Sequence, residues 1–299
     1  MGLQGIKKFI LKRMQISALE QEVHRLKKES LALQVVTYSD NKYLSEIDFI
    51  KKHGITYFPY EKLKELGSIE SGYDKKFRLP YVIHKGKRLY FPKSYSIEHC
   101  ENMYRGYVER ECLLGGGFSE KAPHQYQTER FKIEENDVLI DVGCAEALLS
   151  LDVIEKVKKV ILLEADPAWI KPLRATFNNF QDKVELICKY ASDKDTKSTI
   201  RLETIFDNYI EKESTTFVKM DIEGAEIDTL KGSFTFLKDK KNVKLACCTY
   251  HRDGDADSIR ALYEDLGFEY EFSDGYVLFI DDENLKYPYF RKGLLRGWK

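Results

Sequence analysis

The stretch Val138-Leu139-Ile140-Asp141-Val142-Gly143-Cys144-Ala145-Glu146-Ala147 decides how this 299-residue chain is read. An apolar run ends in an acid, passes through small residues and resumes as a helical pattern. That is a buried strand breaking at a tight loop and restarting as a helix, the repeating step of an open α/β sheet. A second apolar run, Val160-Ile161-Leu162-Leu163, ends in Glu164, which follows Asp141 by 23 residues. One βαβ step is expected to take about 20. An acid placed there can take both hydroxyls of a ribose, while small residues in the first loop let backbone approach a ligand. The loop carries only Gly143 of the three glycines in a G-x-G-x-x-G phosphate seat, so a pyrophosphate is poorly served. An adenosine ligand without phosphates fits better, and S-adenosylmethionine is the commonest such cofactor. A plain helix start with no ligand is the alternative for this segment.

Outward from that loop, strands are expected at 138–142, 160–164, 184–189, 216–221 and 243–249, then at 268–272 and 276–280. Helical patterns fall between them near 146–157, 167–178, 203–212, 225–238 and 255–266. Such alternation implies a mostly parallel sheet with helices on both faces. Ser273-Asp274-Gly275 reads as a tight turn joining the last two strands into an antiparallel edge hairpin.

A later strand end, Phe217-Val218-Lys219-Met220-Asp221-Ile222-Glu223-Gly224-Ala225-Glu226, makes the reading specific. With Asp141, Gly143, Glu164 and Asp166, its Lys219, Asp221, Glu223, Gly224 and Glu226 resemble the FkbM-type family of S-adenosylmethionine-dependent methyltransferases. The resemblance runs from about residue 123 to the C-terminus. It includes Pro123-His124-Gln125-Tyr126, Thr249-Tyr250-His251 and Pro288-Tyr289-Phe290-Arg291, which look like the branch found with bacterial surface-polysaccharide biosynthesis. Ala147 departs from the glycine that relatives often carry. The resemblance implies a Rossmann-like class I methyltransferase fold with a seven-stranded, mostly parallel sheet and an antiparallel edge hairpin. It further implies methyl transfer to a sugar hydroxyl of a capsule or O-antigen precursor.

In an open α/β sheet the ligand lies beyond the carboxyl ends of the strands. The polar residues there are Asp141, Glu164, Asp193, Asp221 and His251, and each has a role that the resemblance also implies. Gly143 and Ala145 would approach the methionine part of the cofactor, and Glu164, beside Asp166, would hold the ribose. Ser192 and Asp193 would meet the adenine edge. Asp141 would face the cofactor's amino group or cap the helix that follows, since Asp is a favoured N-cap. Asp221, Glu223 and His251 are the candidates for the base that takes the acceptor proton. His251 leads them, because an unperturbed imidazole titrates near ~6.5. Two carboxylates and an imidazole could instead hold Mg²⁺ or Mn²⁺. Glu226 and Lys219 could equally form an ion pair.

The rest of the chain sets bounds. A formal net charge of −1 gives no nucleic-acid footprint. Six cysteines lack C-x-x-C spacing, so neither a zinc knuckle nor a disulfide framework is expected, and several should pack as small hydrophobes in a reducing cytoplasm. No run reaches the ~18 apolar residues of a membrane span, and neither a signal peptide nor a myristoylation signal is legible. Residues 1–36 read as a helix with Ile16, Leu19, Val23, Leu26 and Leu33 at three- and four-residue steps, interrupted by Ser30. It could lie on its own domain or join copies into a homo-oligomer, and Lys7, Lys8, Lys12 and Arg13 could rest on an anionic membrane surface. Residues 37–122 read as a small α+β cap or acceptor region with a hairpin at 81–84 and 88–91, leaving 123–299 as the methyltransferase domain. Gly115-Gly116-Gly117 reads as a hinge or turn. Three other functions stand beside the sugar O-methyltransferase: a methyltransferase acting on an amine or carboxylate, a nucleotide-dependent oxidoreductase, and a non-catalytic nucleoside-binding scaffold.

Overall fold

The computed structural model describes residues 3–299, with side chains from Leu19 onward except His24. Met1 and Gly2, and the side chains of Ile16 and of the basic residues Lys7, Lys8, Lys12 and Arg13, lie outside the described residues. The chain divides into two compact units, 1–60 with 278–290, and 61–277 with 291–299.

The smaller unit holds helices α1 (Leu3–Tyr38) and α2 (Leu44–His53). Val35, Ile47 and Ile50 are buried in it. The Tyr43 ring lies 4.7 Å from that of Phe290, and Tyr60 Oη donates to Glu46 Oε1 at 3.0 Å. The backbone of Leu278 donates to Tyr57 O (2.9 Å), and Tyr287 Oη to Asp40 (2.7 Å).

The larger unit opens with a three-stranded antiparallel meander, β1 (Ser71–Asp74), β2 (Leu79–His84) and β3 (Lys87–Tyr90). Helix α3 (Ile97–Arg105) follows and runs into a π-helical turn at Gly106–Arg110. Then come β4 (Val138–Val142), α4 (Leu148–Val153), β5 (Lys159–Leu163), α5 (Pro167–Thr176), β6 (Val184–Ile187), β7 (Tyr190–Ala191) and β8 (Thr199–Ile200). The chain continues through α6 (Leu202–Tyr209), β9 (Thr216–Met220), α7 (Glu226–Gly232), α8 (Phe234–Asp239), β10 (Val243–Cys248) and α9 (Asp255–Leu266). It closes with β11 (Glu269–Phe272), the two-residue strands β12 (Val277–Leu278) and β13 (Phe290–Arg291), and β14 (Leu294–Trp298).

Seven of these strands form one sheet in the order β11-β14-β10-β9-β4-β5-β6. All are parallel except β14, which runs antiparallel to both β10 and β11. The α/β class with a mostly parallel seven-stranded sheet is as expected. The antiparallel edge is also present, as the pair β11 and β14, but the segment that completes it is corrected. Residues 276–280 do not supply the seventh strand; the C-terminal segment Leu294–Trp298 does, inserted between β10 and β11. Gly297 permits it, because a Cβ there would sit 2.5 Å from the Tyr263 ring of α9. The helix expected over 225–238 is two, broken at Gly232–Ser233, where a Cβ on Gly232 would meet Asp193 Cα at 2.2 Å.

Strand parity decides where chemistry can occur, since successive side chains point to opposite faces. Val138, Ile140, Val142, Val218, Met220, Val243, Leu245 and Cys247 pack with Ile205, Leu230, Leu237, Ile259 and Tyr263 from the helices. The other parity puts Asp141, Lys219 and Cys248 together on the opposite face. Parallel register sets Asp141 directly across from Lys219.

Candidate active site

The loop after β4 is built by close backbone approach. Gly143 has φ +72°, and a Cβ there would lie 2.0 Å from Asp221 O, so only glycine lets the β4 and β9 ends come this near. The glycine is thus required by the neighbouring strand end as well as by any ligand. Ala145 and Ala147 also take positive φ, 43° and 60°, and Ala147 occupies the N-cap position of α4 without a side-chain cap. The Ala145 N–H donates to Glu164 Oε2 and the Asp166 N–H to Glu164 Oε1, both at 2.8 Å. Each carboxylate oxygen keeps a free acceptor direction, which is what a vicinal diol needs. Asp166 itself is the N-cap of α5, accepting from Ala168 N at 2.8 Å.

Asp141 is buried and turned inward. Ser150 Oγ of α4 donates to it at 2.7 Å, and Lys219 Nζ lies 3.1 Å away. The helix-cap expectation for Asp141 is therefore corrected: it tethers α4 through Ser150, one turn in from the end. Lys219 also donates to Gly143 O at 2.6 Å. Burial would lower the pKa of Lys219, but Asp141 and Asp221 outweigh that and raise it. The expected Lys219–Glu226 pair is not formed; the two residues take different partners.

Around Asp221 the polar groups alternate in sign. His124 Nε2 and His251 Nε2 each stand 3.2 Å from its carboxylate, and Tyr126 Oη donates to it at 3.1 Å. On the far sides, His124 Nδ1 meets Glu111 at 3.0 Å and His251 Nδ1 meets Glu226 at 2.9 Å. The result is a row: Glu111, His124, Asp221, His251, Glu226. Burial would raise the Asp221 pKa, but hydrogen bonds from the two imidazoles hold it well below the usual carboxylate range. Burial would likewise strip protons from both imidazoles. The facing Cys248, Asp221 and Glu111 instead push His124 well above its ordinary value, and Asp221 with Glu226 push His251 up to about 10. The near-neutral titration expected of His251 is thereby corrected, because at neutral pH it keeps its proton between two acids. Glu223 lies mostly in solvent, at φ +55°, with Oε2 3.7 Å from His251 Nε2.

Residues 123–270 match the model of the methyltransferase FkbM domain. The matched stretch takes in just under half of the chain. No curated protein matches it in sequence. Among solved structures it is similar to methyltransferase FkbM from Methylobacillus flagellatus KT, at 18% identity over 56% of this chain and 45% of that one, with a TM-score of 0.44. It thus spans under half the length of that protein. It is also similar to precorrin-6y C5,15-methyltransferase from Geobacter metallireducens GS-15, at 15% identity over 57% and 84% of the chains, TM-score 0.39. None of these likenesses carries an argument about site or substrate.

The loop and three members of the charged row, Glu111, His124 and Asp221, share a cavity of about 130 Å³. Gly143, Ala145, Glu146, Asp141, Asp221, His124 and Tyr126 line it, joined by Tyr107 and Glu111 from the π-helical turn. Glu146 is buried beside Tyr107, and burial raises its pKa to about 7. Ser192 and Asp193 lie outside this cavity, on the exposed loop after β7, where Ser192 Oγ donates to Asp193 at 3.1 Å. The expected metal set is rearranged: donor atoms of Asp221, Glu226 and His251 lie within 4.8 Å of one another, with Glu226 in the place expected for Glu223. Both nitrogens of that imidazole already face carboxylates, a pattern of ion pairing.

Sequence reading missed Glu111, Tyr107 and Glu146, and gave His124 and Tyr126 no role. For the last two a signal existed, since His and Tyr two apart on an extended segment share a face. Glu111 sits in a region that otherwise shows only turns and aromatic residues.

Proposed function

We propose that this chain is a cytoplasmic O-methyltransferase whose acceptor is a sugar hydroxyl of a surface-polysaccharide precursor, such as that of a capsule or O-antigen. The observation that carries the reading is the sharing of one loop. Ala145 touches the Glu164 carboxylate on one side and lines the Asp221 cavity on the other. A nucleoside held at Glu164 and an acceptor held at Asp221 would meet across it. The sugar and its polysaccharide context are supported by the resemblance of the Pro123–Tyr126, Thr249–His251 and Arg291 segments, which contribute His124 and His251 to the charged row and Tyr126 as a donor to Asp221. Arg291 donates to the carbonyls of Tyr250 and His251 at 2.8 and 3.0 Å, holding the latter's loop.

The residues present fit the cofactor. Glu164 offers a pre-oriented carboxylate to the ribose, with Asp166 beside it, and Ser192 and Asp193 form an exposed polar edge for the adenine. Gly143 and Ala145 would run along the methionine part. Asp141, paired with Lys219 at 3.1 Å, shapes that loop, while Glu146, buried in the cavity wall, is the carboxyl that would face a cationic cofactor end. S-adenosylmethionine, when bound, supplies an activated methyl on a sulfonium. The chain's own residues must then align the acceptor hydroxyl and receive one proton. Asp221 accepts that hydroxyl's hydrogen bond. Clamped between two imidazoliums it is a weak base, so it orients the oxygen and takes the proton late, as the new C–O bond forms. His251 fixes Asp221, and Glu223 on the rim meets the acceptor's outer hydroxyls.

Labelled cofactor with sugar-nucleotide and glycan acceptors tests the reading. An ether product that survives mild base supports it, whereas a base-labile ester would move the acceptor to a carboxylate and a methylated amine to nitrogen. Cofactor binding without any transfer would leave a nucleoside-binding scaffold. Glu164→Ala is expected to weaken S-adenosylmethionine binding about 100-fold by titration calorimetry, the loss of two charge-assisted hydrogen bonds. Absence of saturable heat with the unmodified protein would overturn the assignment of the site.

A further inference from the structure

The stretch of α1 that precedes its buried end packs against nothing among the described residues. Every described side chain from Leu19 to Ser30 is exposed, and Leu19, Val23, Leu26 and Leu33 stand 66%, 51%, 50% and 69% open. Among the described residues α1 fully buries one side chain, Val35, near its C-terminus. Within its own unit, then, no part of the chain covers Leu19–Ser30. A long helix whose side chains are all in water is marginal by itself, because tertiary packing of an apolar face normally supplies most helix stability.

The open residues follow a heptad. With Val23 at position a, the leucines 19, 26 and 33 all fall at d, and Ile16 by sequence falls at a. β-branched residues at a with leucine at d favour two parallel strands, and one polar a residue, here Ser30, fixes register at a cost in stability. Charge complements the stripe. Glu22 and Glu29 occupy g and bracket Arg25 at 2.6 and 2.5 Å, which holds both acids along the edge of the stripe. Lys27, at e, makes no ion pair among the described residues. In a parallel pair the g residue of one helix faces the e residue of the next heptad on the other, which sets Glu22 against Lys27.

We propose that α1 pairs with α1 of a second copy of this chain as a parallel two-stranded coiled coil. The catalytic units would then be held as a dimer by the arm, independently of what the active site methylates. Three heptads are near the lower limit for a stable pair, so the association depends on concentration.

Sedimentation equilibrium of the full chain over a concentration series tests this. The mass is expected to approach twice 34.9 kDa at the upper end. Leu26→Asp, at an exposed d position, is expected to keep the single-chain mass throughout with an unchanged near-UV spectrum. Lys27→Glu is expected to weaken dimerisation about tenfold, equivalent to ~1.4 kcal/mol, and Glu22→Lys combined with Lys27→Glu to restore it. A single-chain mass for the unmodified protein at every concentration would overturn the proposal, including a chain that stays single while binding anionic vesicles. So would a dimer indifferent to both Leu26→Asp and Lys27→Glu.

Discussion

Gly143 shows how much of this site rests on single atoms. Its missing Cβ is what lets Asp221 O reach the loop, and its φ of +72° is one that other residues adopt only with strain. Gly143→Ala is expected to lower stability by about 3 kcal/mol, read as a shift of the denaturant midpoint, because a clash with backbone cannot be relieved by a rotamer change. Glu146 is the other residue whose environment is decisive. Its pKa, lifted by burial from 4.5 to about 7, means that the folded protein binds a proton that the unfolded chain has already lost. Stability of the cofactor-free protein should therefore fall as pH rises from 4.5 through 7, by about 3 kcal/mol in all. Glu146→Gln is expected to remove that slope in a pH series of denaturant melts. The same variant should bind S-adenosylmethionine more weakly if this carboxyl faces the cofactor's cationic end.

At the scale of elements, the larger unit depends on segments that lie outside the matched domain in sequence. The antiparallel meander is knotted by Asp74, which accepts from Lys76 N, Phe77 N, Arg88 Nη1 and Tyr90 Oη at 2.7–3.0 Å. Asp74→Ala strands the buried Tyr90 hydroxyl and is expected to cost 2–3 kcal/mol, with local loss of amide protection over β1–β3 in hydrogen exchange. Imidazole His84 at the end of β2 reaches Asp152 on α4 at 2.8 Å, and Tyr90 N reaches Thr176 on α5 at 3.0 Å, so the meander is fastened to both helices. Strand β14 does similar service for the charged row. Arg296 donates to Gln125 O at 2.5 Å, and Ser273 Oγ bridges Pro123 O and Leu294 N at 2.7 and 3.0 Å. Gly293 lets Pro123 O approach to where a Cβ would stand, at 2.1 Å. His124 and Tyr126 are thus aimed from the C-terminal strand.

For the whole molecule, the charged row sets the response to pH. His251 is held protonated up to about 10, so its contribution is full below 6.5 and fades as pH climbs through 10. Asp221 acts in the opposite sense: its pKa is depressed, so its contribution is present above about 4 and fades in acid. Maximum stability should therefore lie on the acid side of neutrality and decline steadily toward pH 10. Thermal melts across that range check this, and His251→Asn is expected to flatten the alkaline limb. The burial of the cysteines agrees with their reading as small hydrophobes: Cys100, Cys112, Cys144, Cys247 and Cys248 are buried, and Cys188 alone among the six is exposed. No described helix is long and apolar enough to cross a membrane.

The sequence by itself determined the sheet. Apolar runs five or six residues long, separated by helical periodicity, can bury their surface only between helices, and β4, β5, β9 and β10 form within a residue or two of where they were expected. It also placed Glu164 and Asp221 just beyond the carboxyl ends of the two strands that flank β4, because each apolar run ends at its acid. Tertiary structure alone decided the rest. Residues 276–280 and 294–298 carry similar apolar character, and what seats the latter in the sheet is the fit of Gly297 beneath Tyr263. The protonation of His251 arose from partners, Asp221 and Glu226, that packing brings within 3.2 Å. Glu111 and Tyr107 came from a turn with no motif of its own. Local pattern fixes which surfaces must be hidden; only the packed chain says which charges are left facing one another in a space without water to screen them.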